Sequence, residues 1–482
     1  MQMQLKALLL VALLAVVPLA LADDLPDLGD PASLNLSPEM GYQIGLKLAR
    51  EIRSSPSYLD DAEVIDYLDT VGNGLVAAMP SPYAEFQFLP IRDPEINSFA
   101  MPGGFVGVNT GLIMATDNES ELAAVLAHEI THVTQNHLAR MLTQQQQLEM
   151  PTMLALAAAI IAGRSDPDLG MGVVAMSQAG AMQNQLHFSQ NVEREADRIG
   201  LQRMAKAGYD VREMGDFFEK LQRKTSLMED GSVPSWLRDH PLTPERIADA
   251  ENRAAEYPYR PHVDSIEYGL VRAKLRATSG DAPDAVQYFD DRVREHRYAS
   301  ESAARYGLAV ALLRAGRAAE AKAQLARLRA LAADSPMIET LAARVQQALG
   351  DAGGALAILG AARQRFPNRL PLDYAYVAAL QDAGRNKDAL AALSEPLRLH
   401  PHDEQLHMLL AKTYAALGKR LLQHQAQAEV YVLQGSLPQA IEQLQLAQNA
   451  GDGDFYQLST VDARLRELRA QQRQQASDAK RN

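Results

Sequence analysis

The apolar positions of this chain change period several times, and each change marks a boundary. Residues 7–21 are continuously apolar, and an extended stretch rich in Asp, Pro and Leu follows at 23–37. Helical patterns begin at Pro38–Ser54 and at Asp60–Ala78. The period then shortens. Phe86, Phe88, Pro90 and Ile91 read as a strand, and Asn97-Ser98-Phe99-Ala100 with Phe105–Asn109 read as two short strands around Gly103-Gly104. Helical spacing returns with Leu122, Val125, Leu126, Ile130 and Val133, where Asn118 and Glu121 are placed to cap the start of the helix.

Residues 141–187 carry two apolar runs, Met153–Ile161 and Met171–Met182, on either side of a Gly/Asp/Pro break. Each is shorter than the roughly 20 residues a membrane helix needs. They fit a methionine-lined helical hairpin over a site, or ordinary helical core, and leave peripheral membrane contact open. Further helical stretches cover Asn191–Gly200 and Val211–Thr225.

The second half repeats. G-x-x-x-x-A, the turn and second-helix start of a helix pair, occurs at Gly280/Ala285, Gly316/Ala321, Gly350/Ala355, Gly384/Ala389 and Gly435/Ala440. Gly316, Gly350 and Gly384 are 34 residues apart, as are Pro367 and Pro401, which is the tetratricopeptide period. Gly418 keeps the spacing, but Gln423 stands where alanine is expected and Gly435 follows only 17 residues later, so the register reads as irregular there. Such arrays stack into a concave binding surface. Residues 471–482 read as a polar tail.

The chemistry concentrates in His128-Glu129-Ile130-Thr131-His132. Helix positions four apart share a face, so His128 and His132 can aim at one metal ion, with Glu129 beside the open coordination position as a base. A third ligand normally comes from a separate element. Glu193 and Asp197 are again four apart. Glu193 is the better ligand candidate, Asp197 is placed to orient a ligand histidine through its outer nitrogen, and Glu195 points elsewhere. His137 falls nearly opposite His128 on a helical wheel and stays outside the predicted site. His240, just after Trp236 and before Pro241, is a candidate gate over the metal or oxyanion donor, with packing at a domain junction as the plain alternative. The strand around Asn97, Ser98, Phe99 and Ala100 is a candidate edge for an extended substrate backbone.

Charge and composition narrow the classes. The 482 residues hold 47 basic and 60 acidic side chains, a net charge of −13, with no Lys/Arg cluster, so nucleic acid is excluded as an expected partner. The absence of cysteine excludes disulfides and thiolate ligands. Lys6, the apolar run and Ala20-Leu21-Ala22 predict a cleavable signal peptide at 1–22. The expected organisation is mainly α with a small β-sheet. An α+β zincin-type metallopeptidase domain over 23–260 precedes an α-helical tetratricopeptide solenoid over 261–470 and the tail at 471–482.

The H-E-x-x-H run, Asn191–Gly200, the His240-Pro241…Arg246 segment and Asn97–Ala100 with Gly103-Gly104 resemble the zinc endopeptidase family of CAAX prenyl proteases and HtpX. The signal peptide and repeats resemble its periplasmic, repeat-bearing branch. That resemblance implies one zinc ion per chain held by His128, His132 and Glu193, catalysis by Glu129, and an outer position for Asp197. It also implies periplasmic quality control of outer-membrane β-barrel proteins: degradation of misfolded or stalled precursors, a chaperone-like role, and docking of the repeats on the barrel assembly machinery. The alternative is a repeat-scaffold chaperone or adaptor whose peptidase site is latent.

Overall fold

Glu119–Thr134 forms the predicted helix, and all 16 of its residues are buried. The computed structural model describes residues 36–80, 86–144, 190–226, 234–331 and 334–481. The predicted signal peptide and nearly all of the 141–187 stretch lie outside the described residues. The start of the buried helix is fixed as its sequence suggests. Asn118 Oδ1 accepts from Glu121 N at 2.9 Å, and the Glu121 carboxylate accepts from Asp117 N at 2.6 Å, a near capping box. Around it pack the helices Ala62–Ala77, Gln190–Ala207 and Glu213–Ser226. Gly200 faces this helix: a Cβ there would stand 3.4 Å from the His128 backbone nitrogen.

The small sheet has three strands, β1 (Gln87–Ile91), β2 (Ser98–Met101) and β3 (Phe105–Asn109), in the order β1-β3-β2. β1 runs parallel to β3, and β2 pairs antiparallel with it from Ser98↔Val108 to Met101↔Phe105. Gly103, at φ 80°, makes the hairpin turn against helix Pro38–Ser54, where a side chain would meet Tyr42 Cα at 2.4 Å. β2 packs on the buried helix that carries the metal motif.

From Ile266 onward the described chain is helix pairs: Ile266–Thr278 with Ala282–Arg294, Glu301–Arg314 with Ala318–Ala330, and so on to Leu437–Gln448 with Phe455–Arg481. Gly316, Gly350 and Gly384 take φ of 74°, 81° and 72° between the two helices of a pair, as the 34-residue spacing predicts. The irregular register at Gly435 has a simple reason. Gly435 lies 34 residues after Pro401 and joins Arg420–Leu433 to Leu437–Gln448, so it fills the turn between repeats, not the turn within one. The alternation of helices continues through it.

The repeats are not a separate body. One hydrophobic cluster runs from Val64 and Leu68 through Leu126 and Ile130 to Ile338, Leu341 and Val345, crossing the predicted boundary at 260/261. Polar contacts follow the same path along helix Ala62–Ala77. The buried Lys274 ammonium lies 2.6 Å from both Asp61 and Glu63, and Arg369 lies 2.8 Å from Asp66. Farther along, Arg50 donates to the Leu433 carbonyl at 2.9 Å. No helix of the described residues is long and apolar enough to cross a membrane.

Candidate metal centre

Four segments, the buried helix among them, meet at one place. His128 and His132 come from that helix, Glu193 and Asp197 from the facing turn of Gln190–Ala207, His240 from the end of a short helix Ser235–Asp239, and Arg246 from the first turn of Pro244–Ala255. That last helix is fixed by Thr243 as its cap and Pro244 in its first turn, which aims Arg246 inward. All six side chains are buried.

One nitrogen each from His128, His132 and His240 and one Glu193 oxygen lie within 4.8 Å of one another. His128 Nε2 is 3.0 Å from His132 Nε2, 3.2 Å from His240 Nδ1 and 3.5 Å from Glu193 Oε2. Three imidazoles and one carboxylate converging on a common centre are a donor set suited to a borderline divalent cation such as zinc. The outer nitrogen of His128, Nδ1, meets Asp197 Oδ1 at 2.9 Å. Arg246 grips both carboxylates: Nε and NH2 reach Asp197 at 2.8 and 2.9 Å, and NH1 reaches Glu193 at 2.9 Å.

The charges ask for a cation. Glu193 and Asp197 are buried against the guanidinium of Arg246 and Glu129 is buried beside His240, three carboxylates to one guanidinium, which leaves two negative charges in excess with the carboxylates ionised and the histidines neutral. Burial opposes a charged His128, yet the hydrogen bonds it donates to Asp197 and Glu193 raise it to about 9. Burial also works to raise Glu193, but His240 and His128 hold it well below the usual carboxylate range. His132 is pushed well below the ordinary imidazole value, by burial first and by a charged His128 next. A proton on His128 or a metal ion answers the same excess of negative charge.

Glu129 sits at the edge of this cluster. Its Oε1 accepts from Trp236 Nε1 at 3.0 Å and lies 3.4 Å from His240 Nε2. Its Oε2 is buried with no hydrogen-bond partner among the described residues, an acceptor left available in the site.

The sequence-predicted residues thus gather: His128, Glu129, His132, Glu193, Asp197 and His240 form one cluster, and Glu195 turns away to pair with Arg140 at 3.0 Å. Ser98, Phe99 and Ala100 lie on the outer strand β2, with Asn97 just before it. The Asn97 carbonyl accepts from Asn109 N at 3.0 Å, and its Oδ1 is buried without a partner among the described residues.

Three further side chains escaped the sequence reading of the site. The sequence places Trp236 just before His240 and Arg246 in the His240-Pro241…Arg246 segment, and nothing local tells that they return to Glu129 and Asp197. His137 had been set aside on a helical wheel, yet its Nδ1 lies 3.0 Å from His132 Nδ1. The wheel fails because the helix ends. Asn136 takes φ 51°, and the chain turns into a new short helix, His137–Gln144. Asn is the residue besides glycine that adopts this conformation readily, and that was the available signal.

Comparison with known proteins agrees with this architecture. The model of peptidase family M48 matches residues 64–254, and a tetratricopeptide repeat model matches residues 347–413. The beta-barrel assembly-enhancing proteases of Yersinia pestis and Escherichia coli K12 are each 33% identical to this chain, over 93% of it and 92% of their own length. The mitochondrial metalloendopeptidase OMA1 of Bos taurus is 32% identical over 31% of this chain and 29% of its own. With near-complete coverage at that identity, the chain belongs to the beta-barrel assembly-enhancing protease family, metallopeptidases of family M48 that carry tetratricopeptide repeats.

Proposed function

We propose that the protein is a periplasmic metalloendopeptidase holding one zinc ion per chain and acting in quality control and assembly of outer-membrane β-barrel proteins. His128, His132 and Glu193 would hold the metal. The observation that carries this reading is the convergence of their ligand atoms beside a buried carboxylate, Glu129, with one oxygen unpartnered. Bound zinc supplies a Lewis acid that polarises a scissile carbonyl and acidifies water. Glu129 Oε2 takes the proton from the attacking water and later delivers it to the leaving amine, while Trp236 fixes the other oxygen. Asp197 holds the Nδ1 proton of His128, so that Nε2 keeps its lone pair for the metal, and Arg246 holds Asp197 and Glu193 in place. The strand from Asn97 to Ala100 is proposed to pair with the substrate backbone.

Misfolded or stalled barrel precursors as substrates, a chaperone contribution, and docking of the 261–470 repeats on the barrel assembly machinery complete the proposal, in keeping with the names of the relatives. The 23–260 unit would carry the chemistry, with peripheral membrane contact left to residues 141–187. A second reading, a repeat scaffold with a latent peptidase site, is favoured by one observation. His240 contributes a fourth ligand atom to the same cluster, and a fourth protein ligand closes the position that water and substrate need.

The test is metal analysis of the purified protein together with cleavage of an unfolded barrel protein. Wild type should hold about one zinc and cleave, and Glu129→Gln should hold the same zinc and not cleave. A Glu129→Gln protein that cleaves at the wild-type rate overturns the assignment of the base.

A further inference from the structure

We infer that His137 is a positioning residue for the metal site: its Nδ1 accepts the Nδ1 proton of His132 and so sets both the tautomer and the ring angle of that ligand. The inference rests on the reading of His132 as a metal ligand. The two Nδ1 atoms lie 3.0 Å apart, with the rings edge to face at 82°. Nitrogens this close must share one proton, because two lone pairs repel and two N–H groups clash.

Which ring owns the proton follows from the other side of His132. Its Nε2 faces the cluster, 3.0 Å from His128 Nε2 and 3.6 Å from Glu193 Oε1. A ligating nitrogen needs its lone pair, so a neutral His132 carries its proton on Nδ1 and donates it outward. His137 must then present a lone pair at Nδ1 and keep its own proton on Nε2. That atom lies on the side of Glu195, 3.7 Å from Oε2, and Glu195 is in turn held by Arg140 at 3.0 Å. The left-handed turn at Asn136 brings His137 back against the helix it has just left.

The two ligand histidines are therefore supported unequally. His128 donates to a carboxylate, Asp197, itself held by Arg246, whereas His132 donates to a neutral imidazole. A carboxylate acceptor raises the basicity of the ligand more than an imidazole does. Both supports fix the ring, but the first strengthens the ligand more.

The experiment uses the full chain and measures zinc affinity by competition with a chromophoric chelator. His137→Phe keeps the ring volume and removes the acceptor, and should weaken zinc binding by about tenfold, the low end for outer partners of a ligand. His137→Gln offers a carbonyl acceptor and should recover most of that loss. Equal losses in both variants, or wild-type affinity in His137→Phe, overturn the inference. Nitrogen-15 NMR of the zinc-loaded, histidine-labelled wild type gives a check that needs no variant. His137 should be bare at Nδ1 and protonated at Nε2, and the reverse overturns the inference even if both variants fail to fold. His132→Ala separates the two levels: if it keeps zinc, the ligand reading is wrong. If it loses zinc while His137→Phe binds normally, only the role of His137 is wrong.

Discussion

Replacing Arg246 with methionine tests the electrostatic account of the site most directly. The side chain volume is roughly kept, and the change removes the one guanidinium among the described residues held against Asp197 and Glu193, along with contacts at 2.8, 2.9 and 2.9 Å and a 2.8 Å hydrogen bond to the Pro241 carbonyl. Both carboxylates are buried, so water cannot take over. Removing one partner of such a pair costs about 3–5 kcal/mol, because the charge left behind stays desolvated. Whole domains are stable by only about 5–15 kcal/mol, so metal-free Arg246→Met should lose about a fifth or more of its margin. The assay is urea unfolding followed by tryptophan fluorescence, since the single Trp236 touches Glu129 in the same cluster. Zinc should offset much of the loss, since a divalent ion then answers three buried negative charges in place of two. Arg246→Lys should fall between, as one ammonium cannot grip two carboxylates. A metal-free Arg246→Met protein with the wild-type urea midpoint would refute the argument that Arg246 balances this cluster.

Three other outcomes follow from the same geometry. If His240 closes the metal, His240→Ala should keep zinc and cleave a model substrate faster; if it is an oxyanion donor, initial rates should fall about a hundredfold or more, and a purely packing role leaves the rate and lowers the melting point. In chelator-treated protein, His128 is raised from 6.5 to about 9, so its contribution to stability is full below about pH 6.5 and is lost as pH rises through 9. The urea midpoint of the metal-free protein should decline across that window, and a flat profile would contradict it. A chain ended near residue 260 leaves Val64, Leu68 and the rest of the shared cluster without their repeat-side neighbours and strips Asp61 and Glu63 of Lys274, so it should aggregate on size-exclusion chromatography; a soluble monomer would show that the shared core is dispensable.

What could be read from the sequence was what repeats over short distances. H-E-x-x-H and Glu193…Asp197 each rest on a four-residue spacing within one helix, so their shared faces follow from helix geometry alone. The 34-residue spacing of Gly316, Gly350 and Gly384 works the same way, since each glycine fills the same left-handed turn. What could not be read depends on where the chain returns. His240 and Arg246 reach the cluster only because a short helix and its capped successor fold back over Glu193, and no periodicity encodes that return. His137 was lost for a local reason: one asparagine ends the helix on which the wheel was drawn. Gly435 misled because glycine serves turns inside a repeat and turns between repeats alike.

The hydrophobic cluster that joins Val64 to Val345 also imposes an order on biosynthesis. A chain is made from its N-terminus, and each residue waits for partners that come later. When residue 260 has been added, every side chain of the metal cluster exists, yet helix Ala62–Ala77, which packs on the helix carrying His128, still lacks its repeat-side neighbours. Roughly 80 more residues must follow before Ile338, Leu341 and Val345 can close the hydrophobic cluster. The unit that carries the metal cluster therefore completes its packing only after the first repeats have been made.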